Sequence, residues 1–134
     1  MPVVKVQPSR PYRLAFRLTA AAFVVAVAFH AVAITVPAFA AMVYPTGYPL
    51  ARHVFFILID ASFAGLFLRR PNWLIWPYGL LAAYVIPHTG SYAADMWRQQ
   101  GRITWISFVK LLGVILGLGL LWADWRARRT PGHH

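Results

Sequence analysis

A chain of 134 residues that is 60% hydrophobic and only 12% charged is too apolar for a soluble domain, in which about a quarter of residues are charged. Its formal charge of +10 comes from short basic clusters between apolar runs rather than from one continuous basic face, which argues against nucleic acid as a partner. The lack of cysteine excludes disulfides, thiol catalysis, iron-sulfur clusters and cysteine zinc sites.

In chain order, four runs approach the roughly 20 apolar residues that a helix needs to cross a hydrocarbon core of about 30 Å. The first extends from Leu14 to Val36. Arg10, Arg13 and Arg17 around its start and Ala38-Phe39-Ala40 after it imitate a secretory signal with a small-residue cleavage site. The run exceeds the usual core of about 7 to 15 residues, so it is expected to be a retained anchor. Pro45-Thr46-Gly47-Tyr48-Pro49 is turn chemistry, and the second run follows from Arg52 to Leu68. After the polar break Arg69-Arg70-Pro71-Asn72, a third run from Pro71 to His88 contains Pro77 and Pro87. Each proline should remove a helical hydrogen bond, which predicts a kinked span. His88 to Arg102, with Gly90 and Gly101, reads as a polar connector, and the fourth run spans Ile103 to Trp122. The expected fold is all-α: a four-helix transmembrane bundle in which residues 1–134 form a single integral membrane domain, with short connections that favour antiparallel neighbours.

Orientation follows from the basic residues. Lys5, Arg10, Arg13, Arg17, Arg69, Arg70, Arg126, Arg128 and Arg129 fall on one side of these spans, and Arg52, Arg98 and Arg102 on the other. The bias predicts both termini in the cytoplasm of a multi-pass protein of a bacterial inner membrane. Trp73 and Trp76, Trp97 and Trp105, and Trp122 and Trp125 lie near the expected interfaces, as aromatic belts do. His133 and His134 end a polar tail and are either native or the remnant of a tag.

Ionisable groups at membrane depth are costly and are functional candidates by default. Three lie clearly inside the runs, away from their ends: His30, Asp60 and Lys110. His30 shares a face with the small residues Thr19, Ala22, Ala26, Ala33 and Pro37, and Lys110 with Ser107, Gly113 and Gly117. Gly113-x-x-x-Gly117 is a small-residue helix-packing motif. The depths of the three predict a polar layer in which Asp60 contacts Lys110 as a buried ion pair, with His30 nearby. That layer reads either as a structural lock between helices or as a proton or ligand site.

At the outer rim, His53 opens the second run, and Tyr84 and His88 close the third, with Asp95 following. Two histidines there are candidate ligands for a b-type haem or a metal ion. No His-x-x-x-His spacing accompanies them, so the residues name no particular cofactor or metal. The chain has no glutamate, its three acids Asp60, Asp95 and Asp124 are dispersed, and its serines lack a nucleophile setting. Glycosidase, kinase and hydrolase chemistries are therefore disfavoured, and no catalytic residue is assigned.

The leading expectation is a non-catalytic subunit or accessory protein that assembles in the bilayer with other membrane chains, or as a homo-oligomer, through the Gly113/Gly117 face or the small-residue face around His30. The alternatives are a membrane-embedded binding protein or enzyme for a lipophilic ligand such as a quinone, haem or isoprenoid, and a small proton-coupled transporter.

Overall fold

The computed structural model describes residues 11–44 and 47–130. Lys5, Arg10, Pro45, Thr46, His133 and His134 lie outside these described residues. Within them every regular element is helical: α1 (Arg13–Thr35), α2 (Pro37–Val43), α3 (Leu50–Arg69), α4 (Ile75–Gln100) and α5 (Trp105–Arg129).

The first, second and fourth apolar runs become α1, α3 and α5, and these three helices are long and apolar enough to cross a membrane. At about 1.5 Å per residue each reaches at least about 30 Å. The 26-residue α4 does not share their apolarity, because its second half is polar. It also departs from the sequence expectation. The helix continues through Pro87 to Gln100, so the segment expected as a connector is largely helical. Ala93, Ala94, Met96, Arg98, Gln99 and Gln100 are strong helix formers, and the buried face carries on through Thr89, Ala93 and Met96. Pro77 costs little, since it lies in the first turn, where an N–H has no helical partner in any case. Only Pro87 stands in the helix interior. Gly101, left-handed at φ 65°, ends the helix, a conformation that glycine adopts without steric cost.

The other addition is α2. Val36 is extended, and Pro37 at the first helical position starts a new seven-residue helix, the place where its fixed φ suits a helix start.

Buried residues follow a spacing of three and four. On α1 they are Phe16, Ala20, His30 and Ala33, with Phe23 packed against the core. On α3 the buried face includes His53, Phe56, Asp60, Phe63 and Phe67. The close backbone approaches are α1 along α3 and α4 along α5. Between these two pairs large side chains meet instead. Tyr78 of α4 sets its ring edge-on to Phe23, Phe63 and Phe67, with centroids 6.2, 5.4 and 5.3 Å away. Such edge-to-face contacts are favoured by the ring quadrupole. Gly117 of α5 lies against the Tyr78 ring, and a Cβ there would collide with the hydroxyl.

One end of the bundle is tied by a polar knot. Arg70 caps α3 in the left-handed conformation at φ 54° and donates to the carboxylate of Asp124 on α5 and to the carbonyl of Pro11 before α1. Arg128 binds the second carboxylate oxygen of Asp124 and the side chain of Asn72. The start of α1, the end of α3 and the end of α5 therefore lie at one end of the bundle. Large apolar side chains such as Leu14, Val25, Leu58, Leu80 and Leu116 point outward.

Candidate functional site

The opposite end, where α1 leads to α2 and α3 begins, gathers most of the sequence candidates. Buried at 4% and 3% exposure, His30 and His53 bring their Nδ1 atoms to 2.9 Å. At that separation one nitrogen donates and the other accepts, so the pair holds a single proton between its facing atoms. His53 sits where the α3 heptad meets the α1 face that carries His30, since positions separated by three and four share a helix face.

Aromatic rings enclose the pair. Phe56 stacks on His30 at 5.5 Å and 11°, and Tyr48 lies 4.6 Å from His53. Tyr44 stacks on Tyr48 at 4.4 Å. Burial raises the Tyr44 hydroxyl above its ordinary range and pushes that of Tyr48 up to about 12. Both phenols are thus neutral hydrogen-bond donors at ordinary pH. Gly47, at φ 81° and with its N–H bonded to the Tyr44 carbonyl, makes the turn that folds Tyr48 back over the histidines.

Of the expected polar layer, His30 and Asp60 are buried and Lys110 is half-buried, but the expected ion pair is not made. Among the described residues the salt bridges are Arg70–Asp124, Arg128–Asp124 and Arg98–Asp95. The Lys110 ammonium instead lies 5.2 Å from the centre of the Phe56 ring, within cation–π range. Phe56 therefore meets both His30 and Lys110, while Asp60 falls one helical turn further along α3. Among the described residues the buried ion pair is Arg70–Asp124, both side chains 7% exposed.

The rim group divides. Tyr84 and His88, one turn apart on α4, stack at 5.5 Å, but His53 turns inward to His30. His88 receives Arg52 instead, with Nη2 3.3 Å from Nε2. No group of three His, Asp or Glu residues able to hold a metal ion forms among the described residues. The helix-packing glycines divide too, with Gly117 filled by Tyr78 and Gly113 facing open space.

Between α3, α4, α5 and the α2–α3 connection lies a cavity of about 370 Å³. Arg52 and Tyr48 stand at its mouth, Tyr84 and His88 form one wall, and Phe56 and Lys110 lie deeper. His30 and His53 stand behind Tyr48 and Phe56. Tyr44, Tyr48, Arg52 and Phe56 were not singled out in the sequence, although Tyr48 and Arg52 have the four-residue spacing of facing side chains. Chemically the arrangement offers two cations at different depths, neutral phenol donors and an imidazole pair able to pass a proton, set in an aromatic surround.

The fold and this cluster define an all-α chain with three helices able to cross a membrane and a polar, aromatic-lined cavity at one end of the bundle. No protein family, curated protein or solved structure matches it.

Proposed function

We propose that this chain is a multi-pass inner-membrane protein that binds a lipophilic molecule by its polar head in the cavity between α3, α4 and α5. The observation that carries the reading is the cavity itself, with Arg52, Lys110 and several phenols converging on about 370 Å³ in a chain whose outer faces are apolar. Ligand sites are typically apolar concavities of about 300 to 1,000 Å³ with a few convergent polar groups. Ionisable side chains at membrane depth are costly unless they serve a function or are paired, and among the described residues Lys110 makes no salt bridge. In this reading the Arg70 end faces the cytoplasm with both termini, α4 is the fourth crossing, and the cavity opens toward the outer leaflet.

The test is to purify the protein in a mild detergent, extract it, and identify what leaves with it by mass spectrometry. One lipophile near equimolar ratio is expected from the wild type, and little from Thr89→Phe, which fills the cavity wall. An extract without a stoichiometric lipophile, from protein that also binds none when it is added back, contradicts the reading.

Partner assembly is a second reading, supported by the open space at Gly113. It loses the Gly117 half of its docking face, because Tyr78 of the same chain occupies that position.

A further inference from the structure

The charges around the cavity are unequal. Arg52 on α3 and Lys110 on α5 both line it, and neither forms an ion pair among the described residues. Arg52 is held by the His88 ring nitrogen and by the face of Tyr48, 5.4 Å from its centroid. Lys110 rests over Phe56. Phe56 is one turn further along α3 than Arg52, so the two cations are held by different aromatic rings. Among the described residues the one acid on the lining, Asp95, is largely exposed and sits 3.9 Å from Arg98. Asp60 is near enough to Lys110 to feel its charge but leaves the ammonium's hydrogen bonds unmade. The remaining polar groups, Tyr48, Tyr84 and Tyr92 among them, carry hydroxyls that can donate. The apolar part of the lining comes from Phe56, Val85 and Ile106.

We infer that the molecule bound in this cavity is an anionic amphiphile, its carboxylate or phosphate head held between Arg52 and Lys110 and its apolar part laid against Phe56, Val85 and Ile106. The inference rests on the ligand-binding reading above and narrows it to one head-group chemistry. Arg52 supplies a planar fork suited to two oxygens, and Lys110 a compact point charge.

The experiment places the protein in nanodiscs of phosphatidylcholine and measures equilibrium binding of radiolabelled amphiphiles that share one alkyl chain and carry a carboxylate, a phosphate monoester, an alcohol or a quaternary ammonium head. Carboxylate and phosphate are expected to bind at least about tenfold more tightly than alcohol, the worth of one charge-assisted hydrogen bond. Arg52→Gln and Lys110→Gln should each remove most of that preference, while Arg52→Lys and Lys110→Arg retain part of it. Equal binding of the alcohol, or an unchanged preference in the Arg52→Gln/Lys110→Gln double variant, overturns the anionic head but leaves the cavity as a ligand site. Failure of all four heads to bind overturns the ligand-binding reading itself. Inorganic phosphate is included as a competitor: no displacement at matched concentration is expected, and displacement would assign the site to a soluble anion and overturn the amphiphile.

Discussion

Nη2 of Arg70 lies 2.7 Å from Oδ1 of Asp124, across 54 residues of chain, with both side chains 7% exposed. The guanidinium also rests 4.1 Å from the centre of the Phe16 ring and holds the Pro11 carbonyl, so one side chain joins α1, α3 and α5. Its Nε is buried without a partner, a cost that the surrounding contacts offset. Removing one member of a buried pair leaves the other charge uncompensated, which typically costs about 3 to 5 kcal/mol. Arg70→Gln and Asp124→Asn should each lose stability on that scale in denaturant titrations of the detergent-solubilised protein. Arg69→Gln, one residue away and exposed, should change it by less than about 0.5 kcal/mol.

Gly117 and Gly113 look alike in sequence and should behave oppositely. A methyl at Gly117 meets the Tyr78 ring, which is 1% exposed and hemmed in by three phenylalanines, so it cannot swing away. Gly117→Ala should cost about 1 to 3 kcal/mol, the usual price of overpacking. Gly113→Ala enters open space and should be neutral or mildly stabilising. Thermal unfolding of the two variants in the same detergent makes the comparison.

The His30–His53 hydrogen bond should appear as a coupling. Replacing either residue by leucine strands a buried ring nitrogen, at about 1 to 3 kcal/mol. The double replacement should then cost less than the sum of the singles by about 0.5 to 3 kcal/mol in a double-mutant cycle. Additive effects would mean that the two rings do not share a proton.

The phenols give an alkaline signature. Tyr48 has its hydroxyl pushed up to about 12 by burial, against an ordinary value of 10.0, and Tyr44 is raised as well. A group whose folded-state value is raised contributes stability that is fully present below its unfolded value and is lost as pH rises through its folded value. The Tyr48 contribution is therefore intact below about pH 10 and disappears toward about pH 12. Phenolate absorbance should show Tyr44 and Tyr48 among the late-titrating tyrosines, and Tyr44→Phe/Tyr48→Phe should shrink that late phase by their share.

Much of the fold could be read from apolar periodicity, because α1, α3 and α5 are long, uniform runs whose lengths match a bilayer. The boundary of α4 could not, since the proline and polar residues that suggest a connector are outweighed by helix formers and a continued buried face. Depth along a helix identified His30, Asp60 and Lys110 as inward-facing or nearly so. It could not say which of them meet, because that depends on rotation and on what lies between. Phe56 takes the Lys110 ammonium on its ring, and His53 takes the imidazole contact. The Arg70–Asp124 pair went unread because Arg70 sits past the end of α3, where no periodicity applies. The four-residue spacing of Asp124 and Arg128 was the available hint.

The whole arrangement depends on α4 crossing the membrane, and it is the least apolar of the long helices. Because the chain has no cysteine, single cysteines can be introduced at Asn72, Gln100, Met42 and Arg126, and labelled from one side of sealed vesicles with a membrane-impermeant maleimide. Asn72→Cys and Arg126→Cys should label only from the cytoplasmic side, and Gln100→Cys and Met42→Cys only from the other. Labelling of Asn72→Cys and Gln100→Cys from the same side would mean that α4 does not cross, and would contradict both the four-crossing bundle and the outward-opening cavity.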